Sequence, residues 1–253
     1  MKVIEKIFSD GSDVKNLELS PRSKIPSGLY QDITFRGVNF NAPMVGGSFG
    51  RTEFRNCSFV QCNLGGLNGR KIHFTKCSIV NSQLDSEFSL FRKGEWKDST
   101  FENVKFGAVE LQSVSILSCV FIDCCFRKVN LKGCLIEGGD FQGIFNSVNW
   151  INCQTRNVNL KKVRMTDVSL VDSDDHGISF PDSETNFFVP PCAFSAAKTY
   201  LKDKLSAEVY SSFCDEADFF SDSRYGEMVD PSMFSFAADH EIDLILTTLR
   251  TFR

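Results

Sequence analysis

Ten cysteines, three histidines and a short run of acids are the side chains in this 253-residue sequence best suited to bind metal or attack a substrate. Thiols in such number raise the prospect of a zinc or redox site. Their spacing argues otherwise: Cys57 and Cys62, like Cys119 and Cys124, stand five apart, no CxxC pair occurs, and only Cys124-Cys125 are adjacent. Asp172, Asp174, Asp175 and His176 could supply hard ligands to a cation, or form an acidic solvated turn. His73, just before Phe74, reads as a plain surface histidine. No P-loop, GxGxxG fingerprint, HExxH or nucleophile elbow is present. The expectation is a protein without a catalytic site, cofactor or resident metal.

What must position these residues is a repeat. From Phe91 every fifth residue is large and apolar: Phe91, Trp96, Phe101, Phe106, Leu111, Ile116, Phe121, Phe126, Leu131, Ile136 and Phe141. With 42% of the chain hydrophobic, chance gives such a run odds on the order of 1 in 10,000, so the period is a property of the fold. Upstream it continues through Tyr30, Phe35, Phe40 and Val45, then, one residue short, Phe49, Phe54, Phe59 and Leu64, then, after a gap at Gly69, Phe74, Ile79 and Leu84. Downstream, one residue short, come Phe145, Trp150, Thr155, Leu160, Met165 and Leu170. Phe dominates these positions, 25 residues against 4 Tyr and 2 Trp, because it fills apolar space without a polar atom to satisfy.

A step of five rotates a helical side chain by about 140° and flips a strand residue to the opposite face. All plugs can point inward only if the chain turns a corner in each repeat. Four right-angle corners close a square, and squares stacked about 4.8 Å apart make a solenoid. Two residues before each plug the sequence prefers small or β-branched types, including seven of the ten cysteines (Cys57, Cys62, Cys77, Cys119, Cys124, Cys134 and Cys153). Their spacing therefore follows the repeat, and they read as small core hydrophobes.

Phe-Arg-Asn-Cys-Ser-Phe-Val-Gln-Cys-Asn-Leu (54–64) and Phe-Ile-Asp-Cys-Cys-Phe-Arg-Lys-Val-Asn-Leu (121–131) resemble pentapeptide-repeat proteins. The resemblance implies an all-β solenoid, a right-handed quadrilateral β-helix, over 30–172. Best-understood members resemble a rod of B-form DNA and bind DNA gyrase or topoisomerase IV, protecting it from quinolones or peptide toxins. In quinolone-protection members a C-terminal helix joins two coils, which implies a homodimer through the C-terminal helices.

Charge divides the chain further. Residues 1–29 read as an N-terminal cap, 30–172 as the β-helix, and 173–253 as an acidic α-helical appendage. By count, 1–30 carry net +1, 31–170 net +5, and 171–253 net −10, which sum to the −4 of the whole. After Pro190-Pro191, Phe194, Ala197, Leu201, Leu205, Val209 and Phe213 recur at helical spacing and predict one amphipathic helix. Asp230-Pro231 predicts the start of another, with Phe234, Ala237, Leu244, Ile245, Leu249 and Phe252 on its face. These helices read either as a cap on the coil or as a dimerisation and docking element. The first eight residues carry an acid and no apolar run, and no stretch approaches about 18 apolar residues, so a cytoplasmic protein outside the membrane is expected.

Counting four repeats per turn gathers Arg51, Arg70, Lys71, Arg92, Lys93 and Lys132 on one outer face, with Glu110 the acid beside them. The other faces mix signs. A solvated surface is one reading, an anion-binding ridge the other. An acidic protein surface is the favoured partner. Nucleic acid is less favoured, since no base-reading motif or aromatic interleaving accompanies the cations. The sequence thus supports a non-catalytic scaffold or interaction module, including a defence or immunity complex. The alternative is a DNA mimic that protects gyrase, which needs negative potential on the coil, whereas this coil is net positive.

Overall fold

Every fifth residue faces one interior in the protein, seen in a computed structural model that describes residues 10–16, 28–40, 52–65, 69–85, 90–175, 177–221 and 226–253. Parallel strands of adjacent turns pair in register, so plugs stack in columns. On one face Tyr30, Phe54, Phe74, Trp96, Ile116, Ile136 and Thr155 follow one another from turn to turn. On the next, Val14, Phe35, Phe59, Ile79, Phe101, Phe121 and Phe141 do so. Leu84, Phe106, Phe126, Phe145 and Met165 make the third column. Phe91, Leu111, Leu131, Trp150 and Leu170 make the fourth. The chain is a β-solenoid of about seven turns followed, among the described residues, by three α-helices.

Stacking follows from the strand spacing. Rings on consecutive turns lie nearly parallel at 4.3 Å for Phe106–Phe126, 4.4 Å for Phe121–Phe141 and 4.7 Å for Phe101–Phe121. Phe106 and Phe126, four repeats apart, are buried face to face at 1% and 4% exposure. Trp96 Nε1 is buried without a hydrogen-bond partner. That costs about 1–3 kcal/mol, set against ring contacts with Phe74, Phe91 and Phe101.

Corners have one conformation. Among the described residues, twenty non-glycine residues from Asn16 to Asp172 take positive φ, each two positions after a plug except Lys71, which follows Gly69. Eleven are Asn or Asp, which tolerate the left-handed region best. The rest include Lys71, Lys76, Lys93 and Lys128. Where the frame loses a residue between Phe141 and Phe145, Gly143 takes φ +131, and a Cβ there would lie 2.0 Å from the carbonyl oxygen of Cys124. Glycine is required at that tightened corner. Gly46-Gly47, at the upstream slip, lie outside the described residues.

At the N-terminal end Asp13–Lys15 pairs with Thr34–Arg36, so this part of the segment read as a cap adds a strand of its own. At the other end the last turn, Val158–Val171, meets the strand Glu227–Val229. Asn186 completes the edge: its Oδ1 accepts from Met165 N at 3.0 Å and its Nδ2 donates to Met165 O at 2.7 Å. One side-chain amide thereby replaces the peptide that another turn would present. Met228 inserts into the coil's core, beside Phe180 and Phe188 stacked at 4.2 Å.

Glu227–Val229 pairs antiparallel with Phe187–Val189, and helices Pro191–Leu201, Ala207–Ser221 and Asp239–Phe252 share a second core with this strand pair around Phe194, Phe213, Phe234 and Ile245. The spacing that predicts one helix through Phe213 is divided at 202–206. Ser206 O accepts from Tyr210 N at 2.8 Å, starting the next helix, and Glu241 Oε1 accepts from Ser206 N at 3.0 Å. Asp230 does cap a helix, accepting from Ser232 N at 2.8 Å, but the turn it starts is the short 3-10 segment Pro231–Phe234. No helix among the described residues is long and apolar enough to cross a membrane.

Two substitutions test this architecture by urea denaturation. Phe126→Ala should cost about 3–5 kcal/mol through the cavity it leaves. Gly143→Ala should cost at least about 3 kcal/mol, since both the left-handed corner and the Cys124 contact oppose a methyl group. Either variant melting like the parent would overturn the packed square coil.

The joint between coil and helices adds a pH dependence. Burial, helped by Asp167, pushes the Glu227 carboxyl from 4.5 up to about 7. The folded state thus holds a proton the unfolded chain releases, so this group costs nothing below about pH 4.5 and progressively more as pH rises to about 7. Glu227→Gln should stabilise the protein by up to about 3 kcal/mol above that range and leave stability unchanged below it. Equal stability of the two proteins across the whole range would contradict the assignment.

Candidate interaction surface

The inward position two before each plug has room for one small group. Gly94 shows the limit: a Cβ there would lie 2.3 Å from Ile72 O. All seven cysteines of the repeat are buried here. Each donates its S–H to the carbonyl of a plug one turn earlier, Cys77 to Phe54 at 3.2 Å and Cys119 to Trp96, Cys124 to Phe101, Cys134 to Leu111 and Cys153 to Leu131 at 3.3 Å. Cys57 and Cys62 reach Tyr30 and Phe35 at 3.4 Å. Burial pushes the thiol of Cys119 up to about 11 and that of Cys124 up to about 12. Cys134 is raised by its neighbour Cys153 and by burial. These thiols are donors in a lattice, and all ten cysteines are free.

No cluster of three or more potential metal ligands occurs among the described residues. His73 is half-buried on an outer face, in register between Glu53 and Glu95 of the adjoining turns. Asp172 is an exposed corner residue at φ 49, and Asp174 is exposed. His176 lies outside the described residues.

The fourth face carries the cations. Gly69–Arg70 pairs with Leu90–Arg92, which pairs with Glu110–Gln112, so Arg70, Arg92, Gln112 and Lys132 occupy equivalent positions on successive turns. Lys71 and Lys93 are the corner residues that follow, at φ 63 and 54. Their backbone N–H groups bond to Arg92 O at 2.7 Å and Gln112 O at 2.9 Å, which fixes both corners. Lys71, Arg92 and Lys93 are exposed, and none makes an ion pair. Lys132 differs: Gln112 and Ser113 separate it from the others, and it reaches Glu110 at 3.5 Å. Arg51 lies outside the described residues, and of Arg70 only the backbone is described. Beyond Lys132 the same column turns apolar with Ile151 and Val171, the latter 47% exposed.

The neighbouring face carries both signs, with Arg55 paired to Glu53 at 2.7 Å. The cations of the fourth face therefore form a compact patch across adjacent turns instead of a stripe along the whole coil.

No protein-family model matches the chain, and no curated protein matches it. Among solved structures it is similar to a trypsin-treated variant of QnrB1, a plasmid-mediated fluoroquinolone resistance protein, at 16% identity and TM-score 0.40, covering 67% of this chain and 87% of that one. It is also similar to HetL, a pentapeptide-repeat protein involved in heterocyst differentiation regulation from the cyanobacterium Nostoc sp. strain PCC 7120, at 11% identity and TM-score 0.24, covering 69% and 90%. At such scores neither superposition carries weight, and the architecture rests on the register and corners of this chain.

The lattice role of the thiols has a direct readout. In the folded protein Cys192, which is exposed, should react promptly with a thiol reagent, while the seven lattice cysteines react only on unfolding, because burial blocks access to them. Rapid modification of any of the seven in native protein, or stoichiometric zinc in purified protein, would refute it.

Proposed function

We propose that this protein is a non-catalytic interaction module that presents a rigid basic patch to an acidic protein surface. The observation that carries the reading is the set of three exposed, unpaired cations, Lys71, Arg92 and Lys93, held on adjacent turns of one flat parallel sheet. Arg70 and Lys132 stand at equivalent positions on the same face. Backbone hydrogen bonds lock the spacing before a partner arrives, so little ordering entropy opposes binding. Repeats about 4.8 Å apart suit a regular row of carboxylates.

Gyrase protection by mimicry would place the negative surface on the coil, and the unpaired charges described on this face are positive. The acids concentrate instead in the helical region, net −10 over 171–253. A scaffold in a multi-protein complex fits that arrangement, with the C-terminal helices as a second contact for another copy or another partner.

The corner conformation supplies a clean test. Asn suits a left-handed corner better than Lys, so Lys71→Asn with Lys93→Asn removes two charges while keeping the coil. Together with Arg92→Gln these changes should abolish recovery of native partners and leave the melting midpoint unchanged or higher. Binding by the parent should weaken steeply with salt, as exposed charges are screened beyond about 10 Å at 0.1 M. Gyrase supercoiling should be unaffected by either protein. Partner recovery that survives the triple change would transfer the contact to the helices, and gyrase inhibition that survives it would favour mimicry.

A further inference from the structure

A separate concentration of positive charge lies where the coil ends. Asn159 and Lys162, three residues apart on the last turn, oppose Asp140 and Gln142, two apart on the turn below. The upper strand carries one extra residue there because the turn below contains the shortened repeat at Gly143. Bulges of this kind re-aim side chains. Lys162, although two residues after the plug Leu160, does not take the left-handed corner conformation. The result is a run of three exposed cations, Lys161, Lys162 and Arg164, without ion pairs.

These cations line a cleft of about 460 Å³ whose other wall is the segment from Pro181 to Asn186, closed by Asp230 and Pro231. The volume falls in the usual range for small-ligand sites. Two carboxylates also line it, but both are engaged. Asp182 is held by Arg253 at 2.6 and 3.0 Å and by Arg250 at 2.8 Å. Asp230 accepts from Ser232 N at 2.8 Å. The Asn186 amide is committed to Met165. The uncompensated groups in the cleft are thus the three cations, one of them a guanidinium able to grip two oxygens at once.

We propose that this cleft binds the phosphate groups of a small ligand carrying a di- or triphosphate. A single carboxylate would leave most of the positive charge unmatched, whereas adjacent phosphates match it. Because the walls come from the last turn and from the segment leading to the helices, an occupant bridges the two parts and stabilises their joint.

Pyrophosphate is the probe, with chloride at equal ionic strength as control, read by calorimetric binding and thermal melting. Saturable binding and a raised melting midpoint are expected with pyrophosphate alone. Lys161→Gln, Lys162→Gln and Arg164→Gln combined should weaken binding by more than about tenfold, as loss of charge-assisted hydrogen bonds requires. The unliganded midpoint checks that this variant folds, and Lys162→Arg, which keeps the charge, should retain binding. Neutralising Lys71, Arg92 and Lys93 should leave it intact. Absence of saturable binding, undiminished affinity in the triple variant, or loss of binding in the variant of the other patch would each overturn the proposal.

Discussion

A chain that buries every fifth residue must reverse the strand's alternation once per repeat, and a single left-handed residue two positions after each plug accomplishes it. The cost of that conformation for a non-glycine residue, about 1–2 kcal/mol, is incurred at corner after corner. Burial of the preceding ring offsets it, since a buried Phe contributes about 1.5–3 kcal/mol. Plug and corner therefore act together, and where the plug is missing, at Gly69, the Lys71 corner is held by its backbone bond to Arg92 O. The basic patch inherits this geometry directly. Lys71 and Lys93 are corner residues, so their side chains leave the coil at its edge, and their spacing is that of the turns.

The same square section explains the interior. Between successive corners only a narrow lane remains for the residue two before each plug, and the carbonyl of the turn below forms its wall. Cys, Ser, Val and Gly fit this lane for different reasons. Glycine occupies it where the approach is closest, as at Gly94 and Gly143. Cysteine adds a weak donor to the carbonyl it faces. Ser99 does the same with a hydroxyl, 3.2 Å from Phe74 O, and its Oγ also accepts from Cys77 N at 3.0 Å. Side-chain bonds thereby supplement the backbone ladder along the axis.

Period, plugs and column assignments could be read from the sequence because one backbone geometry recurs in every turn, so each repeat reports on its neighbours. The slip between Phe141 and Phe145 was visible as a change of count, and the structure locates its cause at Gly143, where two turns meet too closely for a side chain. Features that occur once were less legible. The break between Leu201 and Ala207 keeps apolar spacing on both sides and is decided by Ser206 and by Glu241, 35 residues away. The engagement of Lys132 by Glu110 depends on side-chain reach across a turn. Likewise the cleft beside Lys161 needs the segment around Asn186 folded over the last turn, a contact without periodic signature.

Asn186 ends the coil by imitating a peptide group, and an imitation of this kind is indifferent to how many turns precede it. The helical region is therefore docked to a thread whose pitch and phase are independently adjustable. Adding one whole turn, about twenty residues as between Phe101 and Phe121, would carry the helices about 4.8 Å along the axis without rotating them. Adding a single repeat would swing them by a quarter turn onto a different face. Length and orientation are thus indexed by repeat number, and the angle between the helices and the basic patch is a counted quantity that genetic duplication of repeats can reset without redesigning either surface.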